Sequence, residues 1–193
     1  VKRLHAILLG TVLFSCNPYE PYFFTHYHIQ AELDPGTGLI SANVQMVFVA
    51  RQDYSDSICF RLNPALNIHT LAAQNLEHYI YRQSDSGWLV IFLEDPIGPR
   101  DQLHISLSYS GQLLGSTRKV REEDQKDFMQ LDSTLYWYPA NQDTWPFTFQ
   151  AKFALPGSWQ IIRPDASTGR HGKWLIHSGE PQKSMNILFT RKQ

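Results

Sequence analysis

The chain has 193 residues, 42% of them hydrophobic and 13% aromatic, with a formal net charge of -1. That length and apolar content exclude a disordered chain and suit one domain with a real core. The near-neutral balance excludes a global field that would draw the chain to nucleic acid or to an acidic membrane surface.

Lys2 and Arg3 precede a mostly apolar run from Leu4 to Phe14. The run is too short to cross a bilayer comfortably and suits the apolar part of an export signal. Leu13-Phe14-Ser15-Cys16 resembles a bacterial lipobox. On that reading residues 1–15 are a lipoprotein signal peptide, and Cys16 carries the acyl chains that anchor the protein in the membrane. An ordinary signal peptide or a buried first strand fits the same residues. Val1 reads as a non-ATG start, so the N-terminus is expected to be the true one. Residues 16–23, with Pro18 and Pro21, form a short tether.

From residue 24 to residue 193 the pattern is that of an all-β domain. Tyr27, Ile29, Ala31 and Leu33 alternate with polar residues, which is the period of a half-buried strand. Asp34-Pro35-Gly36-Thr37-Gly38 is a turn, since Pro fixes φ and Gly permits positive φ. Leu39 to Ala50 resumes the alternation, so a long hairpin is expected. Ile58, Phe60 and Leu62 mark a third strand, and Leu66 to Ala73 a fourth. Tyr79 to Arg82 and Trp88 to Leu93 flank Ser84-Asp85-Ser86-Gly87, a second hairpin. Asp95-Pro96-Ile97-Gly98-Pro99 reads as a break. Leu103, Ile105, Leu107 and Tyr109 give the cleanest alternation, closed by Gly111.

Arg118 to Asp127 mixes both signs of charge and reads as a solvated loop or helical turn. Ser133 to Tyr138, Phe147 to Leu155, Ser158 to Arg163, Lys173 to His177 and Ser184 to Thr190 read as strands. Many short strands separated by turns every eight to twelve residues indicate a sandwich or barrel-like fold. Cys59 lies in Ser57-Ile58-Cys59-Phe60-Arg61 and reads as a small buried apolar residue. If the lipobox reading fails, a Cys16–Cys59 disulfide is the alternative. His26 and His28 share a strand face but lack a third ligand nearby in sequence.

The order of these motifs resembles the N-terminal domain of the aminopeptidase N family of zinc metallopeptidases (peptidase family M-one). The resemblance rests on Tyr27-His28-Ile29-Gln30-Ala31-Glu32-Leu33-Asp34, then Asp56 to Leu62 and Leu66-Asn67-Ile68. It continues through Leu103 to Gly111, Trp137-Tyr138-Pro139 and Phe149 to Gly157. It implies a saddle-like β-sandwich that packs against a catalytic domain and lends a wall to its cleft. The family's His-Glu-x-x-His zinc helix and Gly-x-Met-Glu-Asn strand are both absent from the 193 residues. The chain is therefore expected to have no catalytic residue and no cofactor of its own, the zinc belonging to a following domain. Gln130 is the nearest counterpart of a cleft residue in some members, and no role is assigned to it.

Tyr136, Trp137, Tyr138, Asp143 and Trp145 crowd one stretch. The resemblance places it toward the catalytic domain, so these five form the expected domain- or partner-facing surface. The resulting expectation is a non-catalytic N-terminal domain of an envelope lipoprotein. Its partner would be a metallopeptidase catalytic domain or another envelope protein. A free-standing module that binds a protein, peptide or glycan through the aromatic stretch is the alternative.

Overall fold

The computed structural model describes residues 24–51, 55–83, 87–113, 119–121, 126–141, 146–162, 166–168 and 173–192. The signal peptide, Cys16 and the tether lie outside these residues. Among the described residues there is no α-helix, and the strands form three sheets.

The large sheet has seven strands. Its middle is β1 (Thr25–Asp34) paired with β2 (Leu39–Val49), the expected hairpin, in a register running from His26 opposite Val47 to Asp34 opposite Leu39. The turn between them is held by Asp34, whose carboxylate accepts from the Gly36 amide and the Thr37 hydroxyl at 2.9 Å each. Beyond β2 come β7 (Gln102–Gln112) and then β4 (Leu66–Ala73), both antiparallel to their neighbours. On the other side β1 runs parallel to β11 (Phe147–Ala154), followed by β14 (Lys173–His177) and β13 (Ala166–Thr168).

A second sheet contains β3 (Ser55–Arg61), β5 (Leu76–Arg82), β6 (Trp88–Ile97) and β10 (Ala140–Asn141), in the order β10-β3-β6-β5. The third contains β8 (Lys119–Arg121), β9 (Lys126–Leu131), β12 (Trp159–Ile162) and β15 (Ile187–Arg191), in the order β12-β15-β9-β8. Both small sheets pack on the same face of the large one. Phe48 of β2 meets Phe60 of β3 edge-on at 5.8 Å, and Phe153 of β11 meets Phe189 of β15 at 5.6 Å. One hydrophobic core results, built from the alternate residues of all three sheets. The opposite face of the large sheet carries Gln30, Glu32, Ser41, Asn43 and Gln45, all exposed.

Four expectations are corrected. Pro96 does not end its strand. β6 continues to Ile97 past a register shift between Ser55 and Ser57, and that irregular pairing accommodates a residue with no N–H to donate. Part of the Arg118 to Asp127 charge run is a hairpin of β8 and β9 rather than a loop. Asp127 is buried there and pairs with Arg191 at 3.4 Å, a partner supplied from the far end of the chain. Ser133 to Tyr138 is not a strand. Asp132 caps a 3-10 turn at Ser133–Leu135 through the Thr134 amide, and Tyr136 adopts the left-handed conformation with φ of 46°. Cys59 is exposed, because Ile58 and Phe60 take the core side of β3 and the pleat sends Cys59 outward.

Candidate functional site

The Leu135 to Pro139 segment runs through the centre of the molecule without regular pairing. Buried carbonyls outside sheets must find partners or cost stability. Here they are taken one after another by groups from elsewhere in the fold. The Asn63 side-chain amide donates to the Leu135 carbonyl at 2.8 Å, and the Asn63 backbone amide donates to that of Tyr136 at 2.8 Å. The Tyr109 hydroxyl donates to the Trp137 carbonyl at 2.6 Å, and the Tyr27 hydroxyl to that of Pro139 at 2.9 Å. Tyr81 extends the network by donating to the Asn63 carbonyl at 2.7 Å.

Trp137 is fully buried and Tyr138 nearly so. Trp137 packs edge-on against Tyr138 at 5.1 Å and at a tilt against Phe153 at 5.7 Å, and its indole N–H reaches the Met185 carbonyl at 3.4 Å. Tyr138 in turn meets Tyr27 edge-on at 5.6 Å. These two side chains therefore do not form the expected partner-facing surface; they fill the junction between the sheets. Tyr136 is half-buried and does reach an open cleft. Asp143 and Trp145 lie outside the described residues.

Burial pushes the phenols of Tyr27 and Tyr109 well above the ordinary tyrosine value, and that of Tyr138 up to about 12. These groups stay neutral in the folded chain at pH values where the unfolded chain ionises. Their contribution is complete below about pH 10 and is lost as pH rises toward about 12 and beyond. Each phenol should contribute a slope of about 1.4 kcal/mol per pH unit there. Denaturant midpoints at about pH 9 and about pH 11 check this: a large fall is expected, and equal midpoints would show that the phenols are not held neutral.

The cleft has a volume of about 590 Å³ and lies where the start of β1 and the end of β2 face β3, β10 and the 3-10 turn. Tyr27, Phe48, Ile58 and Phe147 supply apolar wall, and Ser57, Thr134 and Asn141 supply polar groups. Arg61 sits at its edge. The β3–β6 register places Arg61 opposite Trp88, and its guanidinium lies 4.8 Å from the Trp88 ring and 4.8 Å from the Tyr136 ring. The guanidinium is thus in cation–π range of two aromatic rings. Its Nε is buried and has no hydrogen-bond partner among the described residues. Nothing in the sequence pattern singles out Arg61; only the register and the left-handed Tyr136 bring the three together. Cys59 lines the same cleft two residues away, and partial burial pushes its thiol up, which lowers the thiolate fraction at neutral pH.

His26 and His28 do share the outer face of β1. His26 Nδ1 lies 2.7 Å from the Thr148 hydroxyl, and burial lowers the pKa of both rings. Among the described residues no group of three His, Cys, Asp or Glu side chains is placed to hold a metal ion. Two imidazoles do not meet the four-ligand requirement of zinc, so this donor set does not fit that metal. Gln130 is exposed on β9 opposite Leu188.

A three-sheet, all-β sandwich around an irregular Trp-Tyr-Pro segment defines the fold class. The chain shares that fold with part of the M1 zinc metallopeptidase of Deinococcus radiodurans, at a TM-score of 0.65 and 18% identity. A mutant of that enzyme bound to a Tyr-Ser-Ala substrate gives the same TM-score and identity, with 87% of this chain covering 42% of the other. A two-domain M1 zinc metallopeptidase mutant bound to L-tryptophan gives a TM-score of 0.65 at 17% identity, covering 89% of this chain. The chain thus spans less than half the length of the metallopeptidases it matches. No protein-family profile matches it, and no curated protein matches its sequence.

Proposed function

We propose that this chain is the non-catalytic N-terminal β domain of a zinc aminopeptidase-like envelope lipoprotein, built to pack against a metallopeptidase catalytic domain. The observation that carries this reading is the fold match over 87% of the chain but only 42% of the matched enzyme. The motif order from Tyr27 to Gly157 and the lack of a His-Glu-x-x-His string support it. Zinc would be held by the catalytic domain. The purified chain is expected to contain no stoichiometric zinc and to release no dye from aminoacyl anilides. Metal analysis and a chromogenic assay test this, and either signal would overturn it.

Burial of Trp137 and Tyr138 removes these two side chains from the contact surface on this reading and on that of a free-standing module alike. Membrane attachment through Cys16 rests on the lipobox-like Leu13 to Cys16 string. Cys16→Ser is expected to abolish labelling by a radioactive fatty acid in a bacterial host. Labelling that persists in the variant would exclude Cys16 as the anchor.

A further inference from the structure

We propose that the cleft beside Arg61 is a binding site for a small organic carboxylate with an apolar body. This inference stands on the cleft alone and is independent of the domain's role in a peptidase.

The charge comes first. Arg61 carries a full positive charge in a partly enclosed position, yet no described carboxylate pairs with it, and its Nε donates to no described acceptor. Trp88 and Tyr136 both lie within cation–π range of the guanidinium, at 4.8 Å each, which fixes its position at the edge of the cleft. A planar guanidinium matches the two oxygens of a carboxylate, and contact with two aromatic rings limits the side-chain freedom that such a bond would otherwise cost. Lys183 adds a second cation to the lining, while no acidic side chain lines the cleft among the described residues. Arg51, also in the lining, stacks on Phe24 at 5.4 Å and is engaged there.

The walls decide the rest of the ligand. Tyr27, Phe48, Ile58 and Phe147 offer aromatic and aliphatic surface. The volume lies within the range of small-molecule pockets. A phosphate ester would call for a denser set of donors than one stacked guanidinium and one ammonium. A monoanion on an alkyl or aryl group satisfies both the charge and the apolar wall. That chemistry belongs to free amphiphilic acids and to the C-terminal carboxylate of a peptide ending in an apolar residue.

The full chain should be titrated calorimetrically with octanoate, N-acetyl-L-phenylalanine and N-acetyl-L-phenylalaninamide. At least one acid is expected to bind below about 1 mM, and the neutral amide at least about tenfold more weakly than its parent acid. Octanoate alone would identify a free acid, and N-acetyl-L-phenylalanine alone a peptide terminus. Binding of both would show that the carboxylate and any apolar group suffice. Arg61→Gln should weaken the bound acid by about tenfold or more, with Arg61→Lys between the two. Because Cys59 lies on the same side of β3 as Arg61, the bound acid should also slow alkylation of Cys59 by N-ethylmaleimide in the unmutated chain, read by peptide mass mapping. That readout needs no variant to fold. Equal binding of acid and amide, no binding of either acid, or unchanged alkylation of Cys59 would overturn the proposal.

Discussion

Trp137→Ala is expected to cost about 3–5 kcal/mol of folding stability, the usual range for removing a fully buried large aromatic side chain. Trp137 has no solvent exposure and stands where Tyr138 and Phe153 converge. Nothing nearby can collapse cheaply into the space. Phe153 is also fixed by Phe189 of the third sheet, and Tyr138 by Tyr27 and Phe147. The substitution also strands the Met185 carbonyl, which loses the indole donor. For a domain of this size the loss corresponds to a fall in Tm of about 10–15 °C. Trp137→Phe should recover much of it, because it refills most of the volume. Thermal denaturation followed by circular dichroism measures both. A Trp137→Ala variant melting within about 2 °C of the parent would place the residue on the surface instead.

Gly87→Ala is expected to be nearly as damaging for a different reason. Gly87 has φ of +71°, and a Cβ there would stand 1.7 Å from the Leu62 carbonyl oxygen, well inside contact distance. The obstacle is backbone, so no side-chain rotation relieves it. The left-handed conformation alone costs a non-glycine residue about 1–2 kcal/mol. To admit the methyl group, the Leu62 peptide must also move, which breaks the 2.8 Å bond from the Leu62 amide to the Gly87 carbonyl. Leu62 is itself fully buried, so its displacement disturbs the core. A total of about 3 kcal/mol or more is expected. Urea denaturation reads it directly, and a loss below about 1 kcal/mol would show that the hairpin between β5 and β6 relaxes away from Leu62.

Much of the fold is legible in the sequence because one face of each long strand is buried. The period-two runs of Tyr27 to Leu33 and Leu103 to Tyr109 appear as β1 and β7, with those residues on the core side. Leu66 to Ala73 and Lys173 to His177 match their strands residue for residue. Local pattern fails where distant groups decide. Leu135, Tyr136, Trp137 and Tyr138 carry the composition of a strand, yet the carbonyls of the first three are taken by Asn63 and Tyr109, and that of Pro139 by Tyr27, rather than by a neighbouring strand. No window of sequence contains those partners. Asp127 follows the same rule, since its ion-pair partner Arg191 lies at the far end of the chain.

Cys59 is an instructive case of the opposite kind. The alternation Ile58, Phe60, Leu62 already assigns Cys59 to the outer face, and the usual apolar habit of cysteine obscures that signal. The cleft was not legible at all. Arg61, Trp88 and Tyr136 belong to two strands and a turn, and only the β3–β6 register and the capped 3-10 turn set them side by side. In the aromatic stretch Trp137 and Tyr138 fill the core and Tyr136 lines the cleft, because the left-handed Tyr136 turns the chain between the two.

The most direct test of the proposed role is association with a catalytic partner. The purified chain and a separately expressed His-Glu-x-x-His-bearing metallopeptidase domain encoded by the same genome should be mixed and examined by sedimentation velocity. A one-to-one complex at micromolar concentration is the expected result, as a domain built to pack against that partner requires. Two independent boundaries at every concentration examined would contradict the account.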